Sequence, residues 1–423
     1  MLVEHIILAL VLVLTLSLMA YPFSRWLRLP IASVLVLLGF ITSEIVIYAG
    51  IDTGIRADNF QSIVFYVFIP VLVFESAYNI DKQQLNNNII VIMFLAVIAM
   101  LLTCLIAAVL LFYGIGHATG FPWLAALITG AILAATDPVA VVDKLREMHA
   151  PKRISVLLEG ESLFNDATAI VLFSLFLSMA TATSSVSSVY VFPSTLDVIL
   201  QFLIIFCGGA LTGLSVGLFF GFLQKKVKPL LLKGMMSLLV AYGSYLLAEF
   251  LMVSGVMSTL LAALSFSLLS KDEAKLSVQQ ASIQSAAVSG NTYLWEALAH
   301  VANVSVFLVV GAVISFEMFE QRWLAMVIAI FSLLIARALS VYGVLLFFAF
   351  FKKLKVPFLS QTLMVWGGLR GAVTLALALS LPTTLDYWWT IQSIAFGVVM
   401  FSLFVQAPTM EFLAKRLLPK DDE

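Results

Sequence analysis

Three carboxylates fall within eight residues of one apolar stretch, Glu159-Gly160-Glu161-Ser162-Leu163-Phe164-Asn165-Asp166. Read as a helix at about 100° per residue, Glu161, Ser162, Asn165 and Asp166 share a face about 140° wide, opposite an apolar side. Asp166 follows Arg153 by roughly 20 Å of helical rise, which sets it near the middle of a hydrocarbon layer about 30 Å thick. A charge at that depth costs about 2.5–3.5 kcal/mol on insertion scales, so such residues are expected to carry function. A polar seam that only joins helices needs no more than serine or asparagine. Two carboxylates point instead to the handling of a proton or a cation. Glu159 lies closer to the interface and is expected to snorkel or to pair with Lys152 or Arg153.

A second apolar stretch carries Thr136-Asp137-Pro138 in its middle. Pro138 has no N–H to give the preceding turn, and it pushes Asp137 away from helical geometry. The expected product is an unwound stretch offering backbone carbonyls, Thr136 Oγ1 and the Asp137 carboxylate, oxygen ligands of the kind a hard cation takes. A third stretch is broken by Gly367-Gly368-Leu369-Arg370-Gly371. Arg337 and Arg370 are the two cations inside apolar stretches, and each needs a partner. Arg337 could pair with Glu161. If the two broken helices cross, like ends of their half-helices meet, with about half a unit charge each. Asp137 can then neutralise the meeting N-termini and Arg370 the meeting C-termini.

The elements that position these residues follow from composition. Of 423 residues, 62% are apolar and 11% charged, against about 25% charged in soluble domains, and the mean hydropathy is +1.08. A soluble enzyme is excluded, because one domain could not bury so much apolar surface. A net charge of −1 with no basic patch gives no reason to expect nucleic acid. Cys104 and Cys207 sit in apolar runs, and the four histidines show no metal-ligand spacing. No cofactor is expected.

Apolar runs fall near 3–20, 31–48, 61–78, 89–113, 121–142, 156–180, 196–222, 230–249, 251–269, 293–317, 323–351, 358–381 and 388–414. The chain therefore reads as an all-α polytopic membrane protein of thirteen spans, its first run a retained helix rather than a signal peptide. The weakest division is Glu249 to Gly255, between the eighth and ninth. With the C-terminus in the cytoplasm, 19 of the 23 Lys and Arg lie on the cytoplasmic side; Arg56 and Arg322 lie outside, and Arg337 and Arg370 within spans. That asymmetry sets the N-terminus outside. Spans one to six and eight to thirteen read as inverted halves, with a break at a corresponding place in each, and such paired breaks point to a transporter's binding site. Gly209, Gly213, Gly217 and Gly221 form a ladder on the seventh span that predicts close helix packing.

Together, Thr136-Asp137-Pro138-Val139-Ala140-Val141, Gly160-Glu161-Ser162-Leu163-Phe164-Asn165-Asp166-Ala167 and Gly367-Gly368-Leu369-Arg370-Gly371-Ala372 resemble the monovalent cation/proton antiporters, in the NhaP and NHE branch with an Asn-Asp pair. The resemblance implies the NhaA-like fold with two crossing broken helices. It implies a homodimer, with residues near 1–78 and 230–317 as dimerisation domain, 89–180 and 323–417 as ion-translocating core, and 196–222 as linker helix. It implies that Asp166 binds cation or proton, with Thr136, Ser162 and a backbone carbonyl as further ligands. Asn165 and Asp137 would shape the site, and Glu161–Arg337 would form an internal ion pair. A prokaryotic inner membrane suits a chain with so short a tail.

The function expected is exchange of Na⁺, with Li⁺ or K⁺ as alternatives, for H⁺, electroneutral and one for one. Burial disfavours the charged form of a carboxylate, so proton and cation would compete for one site. A sodium-coupled symporter of an organic solute is the alternative, and a large uncharged cavity would favour it. An intramembrane aspartyl protease using Asp137 and Asp166 would need a Gly-x-Gly-Asp motif that neither residue has.

Overall fold

Proline, glycine and short polar runs punctuate an otherwise apolar chain, and the computed structural model is a stack of helices divided at those points. It describes residues 3–27, 29–48, 63–115, 120–148, 150–184, 194–227, 229–271, 281–314, 316–351 and 354–417. The helices of the first half are α1 (Val3–Leu27), α2 (Ile31–Tyr48), α3 (Val64–Asn79), α4 (Lys82–Gly114), α5 (Trp123–Ala134), α6 (Val139–Glu147) and α7 (Lys152–Ser184). Then come α8 (Thr195–Gln224), α9 (Leu230–Phe250), α10 (Gly255–Lys271) and α11 (Ala281–Val313). The last are α12 (Phe316–Phe348), α13 (Phe358–Trp366), α14 (Ala372–Leu379) and α15 (Trp388–Arg416). No strand occurs among the described residues.

Eight of these helical stretches are long and apolar enough to cross a membrane, one of them running through α5 and α6 together, and α1 with α2, bent by 117°, would make a ninth. Several helix ends have local causes. Asp81 accepts from the N–H groups of Gln83 and Gln84 at the start of α4, and Ser194 with Asp197 forms a capping box on α8. The division between α9 and α10 is a tight reversal: Met252 takes φ +60°, Val253 N–H returns to Ala248 O, and Ser254 N–H reaches Ile205 O on α8. The tenth run ends earlier than hydropathy suggests. Helix α11 stops at Val313, and Glu317 lies in the first turn of α12, where a negative charge is favoured. Helix α11 begins at Ala281, ahead of the tenth apolar run. The loops holding Arg56 and Lys275, and Lys420 in the tail, lie outside the described residues.

Packing brings helices distant in sequence together. Helix α2 lies along α11, α3 against α10 and α11, and α4 against α5 and α12. The glycine ladder of α8 faces α10: a Cβ on Gly213 would fall 2.0 Å from Ser258 O, and one on Gly209 2.4 Å from Ser254 O. Only hydrogen at Cα permits that approach. Each of the stretches 64–68, 94–99 and 402–406 contains a π-turn, a local widening that redirects side chains within a helix.

Candidate functional site

The two breaks meet. Helix α5 ends at Ala134 and α6 begins after Pro138; α13 ends at Trp366 and α14 begins after Gly371. The Asp137 N–H donates to the Leu369 carbonyl at 2.8 Å, joining one break to the other through main chain. The Asp137 carboxylate accepts from Val139 N–H at 3.2 Å, and its Oδ2 lies against Gly371, the residue before α14. It therefore caps the first turn of α6 and sits beside that of α14, where unpaired N–H groups concentrate positive charge. Gly371 is required by that contact, since a Cβ there would lie 2.0 Å from Asp137 Oδ2. Arg370 is buried, and its Nη1 donates to the Gly368 carbonyl just beyond the last turn of α13.

Helix α7 presents its polar face to this crossover. Ser162 Oγ donates to the Thr136 carbonyl. Asn165 Nδ2 donates to both Ala134 O and Thr136 Oγ1 at 3.2 Å, so it ties α7 to the end of α5 and to the unwound residues after it. Thr374 of α14 reaches the Ala135 carbonyl at 3.5 Å. Asp166 follows Asn165 directly, one turn beyond Ser162. Its Oδ1 is buried with no hydrogen-bond partner, and its charged neighbours are Asp137, Glu161 and Arg370. A buried polar atom left unpaired is expensive, and a proton or a cation is what relieves such a carboxylate.

The other edge of the same helical face serves a different purpose. Arg337 of α12 grips Glu161 with Nη1–Oε1 at 2.5 Å and Nη2–Oε2 at 2.8 Å, both side chains buried, and Nη2 also reaches Met364 O at 3.3 Å. The pair fastens α7 to α12 and to the end of α13.

Asp166, Asp137, Thr136 and Ser162 line the inner part of a cavity of about 650 Å³. It reaches Lys82 and Arg146 at the end of the bundle where α4 starts and α6 stops. Glu75, Asp143, Glu159, Glu296, His300 and Asn303 are among its other polar lining residues, so it is large but strongly acidic. Glu159 pairs with Arg146 across the α6–α7 turn, not with Lys152 or Arg153. Arg153 instead donates to Asn88 Oδ1 at 2.9 Å and to the Lys355 carbonyl. Glu75 lies on the cavity wall and accepts from Asn79 Nδ2 at 2.8 Å. The wall from α11 escapes a search for isolated charges. Its signal is a stripe, Thr292, Glu296, His300 and Asn303, at spacings of three and four residues that put polar groups on one face of an apolar helix.

With this geometry in place, similarity to known proteins is informative. The pattern of the family described as "Sodium/hydrogen exchanger, transmembrane" matches residues 12–416. The Na⁺/H⁺ antiporter ApNhaP of Aphanothece halophytica is 34% identical over 357 residues, 84% of this chain and 64% of that protein. The Na⁺/H⁺ antiporter NhaS2 of Synechocystis is 30% identical over 416 residues, 98% of this chain and 71% of that protein. The chain thus spans just under two thirds of the length of the first of these relatives. The solved structure of the sodium proton antiporter MjNhaP1 from Methanocaldococcus jannaschii at pH 8 covers 98% of the chain with a TM-score of 0.75 at 21% identity. At that identity the likeness speaks to the fold.

Proposed function

The chain belongs to the sodium/hydrogen exchanger family, whose members are transporters rather than enzymes, and on that premise we propose that it is a secondary antiporter exchanging Na⁺ for H⁺ at Asp166. The observation that carries the reading is the Asp166 carboxylate: one oxygen is buried without a partner, and the residue lines an acidic cavity beside the crossing of two broken helices. Ser162 Oγ, Thr136 Oγ1 and the unwound carbonyls are the oxygen ligands nearest to hand for a dehydrated monovalent cation. Asn165 and Asp137 hold that ligand set in shape, the first through its two donated bonds and the second through its cap on α6 and its place against the start of α14. A proton and a cation satisfy the same negative charge, so occupation by one excludes the other, and exchange follows if the occupied site alternates between the two faces. Li⁺ and K⁺ are the competing cargoes. The cavity is large enough for an organic solute, but its row of carboxylates suits a cation, and the symporter reading is set aside.

The wider architecture follows the same proposal. Thirteen crossings, with α5–α6 and α13–α14 each counted as one broken span, put the N-terminus outside and the C-terminus in the cytoplasm of the cell membrane. Residues 1–78 and 230–317 form the dimerisation domain of a homodimer, 89–180 and 323–417 the moving core, and 196–222 the linker. The cavity then opens toward the cytoplasm, where Lys82 and Arg146 lie. Reconstituted into proteoliposomes, the protein should dissipate a pH gradient when Na⁺ is added, with Li⁺ and K⁺ compared at equal concentration. Asp166→Asn should abolish exchange while leaving a folded protein of unchanged oligomeric state. Substantial exchange by that variant would overturn the assignment.

A further inference from the structure

The cavity leading to Asp166 holds basic side chains as well as carboxylates. Lys82, Arg146 and His300 all line it. Lys82 donates from Nζ to the Tyr78 carbonyl at 2.7 Å, and His300 Nε2 meets Ser17 Oγ at 2.9 Å. Arg146 is placed differently. It extends from α6, the half-helix that leaves the Asp137 break, and its Nη2 lies on Glu159 Oε1 of α7. The Arg146 side chain is 63% exposed and that of Glu159 only 22%. Glu159 is thus part of the wall, and a guanidinium reaching over from the open side covers it. On another face of α6, Lys144 is paired with Glu147 and Glu411 and does not enter the lining.

We propose that Arg146 sets the affinity of the ion path: by neutralising Glu159 on the cavity wall it fixes the electrostatic potential a monovalent cation meets on its way to Asp166. The proposal rests on the reading of Asp166 as the cation site. As a pair, Arg146 and Glu159 contribute no net charge. Without Arg146 the wall gains one unit of negative charge, and without Glu159 it gains one of positive charge. Clefts with apolar walls focus such fields and change the local concentration of the attracted ion. Roughly 13 Å of helical rise separates Arg146 from Asp137. A unit charge at that distance, in a medium between bulk water and protein surface, changes cation affinity about threefold.

A field acts on charge and not on coordination, and that separates this role from a structural one. The change should be the same factor for Na⁺ and Li⁺, whose ligand preferences differ, and it should shrink when inert salt screens the cavity mouth. Everted membrane vesicles present the cytoplasmic face, and Na⁺- or Li⁺-driven dissipation of a pH gradient at fixed alkaline pH reads KM there. Arg146→Gln should lower KM about threefold for both ions, Glu159→Gln should raise it about threefold, and the double variant should return near the wild-type value. Arg146→Lys keeps the charge and should leave KM unchanged. Added choline chloride should pull the two single variants toward each other. A wild-type KM in Arg146→Gln, or a change seen with one ion only, would overturn the proposal. Asp166→Asn in the same vesicles keeps the two readings apart. If it still exchanges, the cation-site assignment is wrong; if it is inactive while Arg146→Gln is indistinguishable from wild type, only the role of Arg146 fails.

Discussion

Glu161 and Arg337 form a buried, two-pronged ion pair, with Nη1–Oε1 at 2.5 Å and Nη2–Oε2 at 2.8 Å, although 176 positions separate them in sequence. The planar guanidinium matches both carboxylate oxygens at once. Its Nε has no partner, and Gly368 packs so closely that an added Cβ would lie 2.9 Å from it. The pair therefore ties α7 to α12 at the level of the α13 break, while Asp166, five residues beyond Glu161, stays outside the pairing.

Removing one partner of a buried pair strands the other and typically costs about 3–5 kcal/mol. Glu161→Ala and Arg337→Ala should each lower the melting temperature, and the double variant should lose less than the sum of the two. Arg337→Lys should not restore stability, because an ammonium cannot reproduce the fork. Additive losses in a thermal-melt cycle would show that the two residues do not depend on each other.

Gly371→Ala tests the crossover. The new methyl group would lie 2.0 Å from Asp137 Oδ2, and the carboxylate cannot move aside without losing its bond from Val139 N–H in the first turn of α6. Overpacking of this kind costs about 1–3 kcal/mol, and here it falls on the groups that shape the cation site. Exchange should drop well below that of Ala→Gly changes elsewhere in the core, with Tm also lowered. A Gly371→Ala variant with normal transport would mean that the seating of Asp137 against the start of α14 does not control the site.

Gly213→Val probes a helix contact without chemistry. Its Cβ would fall 2.0 Å from the Ser258 carbonyl, so α8 and α10 must separate or tilt. The expected result is a less stable protein whose KM for Na⁺ is unchanged in the fraction that folds. A changed KM would connect α8 directly to the cation site.

Much of this arrangement is readable in the sequence, for identifiable reasons. The Glu161–Arg337 contact can be named because Arg337 and Arg370 are the two cations inside apolar runs, so the choices are few. The helix breaks can be named because proline and glycine act on the backbone locally. The glycine ladder carries its own period. Glu159 is different: Lys152, Arg153 and Arg146 all lie within reach in sequence, and only the turn between α6 and α7 decides that Arg146 faces it. Glu75 and Glu296 stand near the ends of apolar runs, and hydropathy does not tell which face of a helix end turns toward a cavity. That knowledge requires the packing of α3 and α11 against the crossover.

The last prediction concerns the charge moved in each cycle. Asn165 holds the position beside Asp166, and its Nδ2 is committed to Ala134 O and Thr136 Oγ1. An amide cannot serve as a second carrier, and an aspartate there would face the Ala134 carbonyl with no hydrogen to give, while the Thr136 hydroxyl could turn to donate to it. Asn165→Asp should destabilise the crossover by the loss of one buried hydrogen bond, about 1–3 kcal/mol for the group left unsatisfied, rather than create a second titrating site. Asp137 is engaged by the N-terminus of α6 and seated against the start of α14, and Glu161 is held by Arg337. Asp166 alone remains to alternate between Na⁺ and H⁺. The site then has the same charge on both crossings, and exchange should be electroneutral. In liposomes with the membrane potential clamped by K⁺ and valinomycin, the rate of Na⁺-driven proton movement and the final Na⁺ gradient should not respond to the imposed potential. A gradient that follows the potential would require a second charge in the cycle, and Asp137 would be the first residue to replace in looking for it.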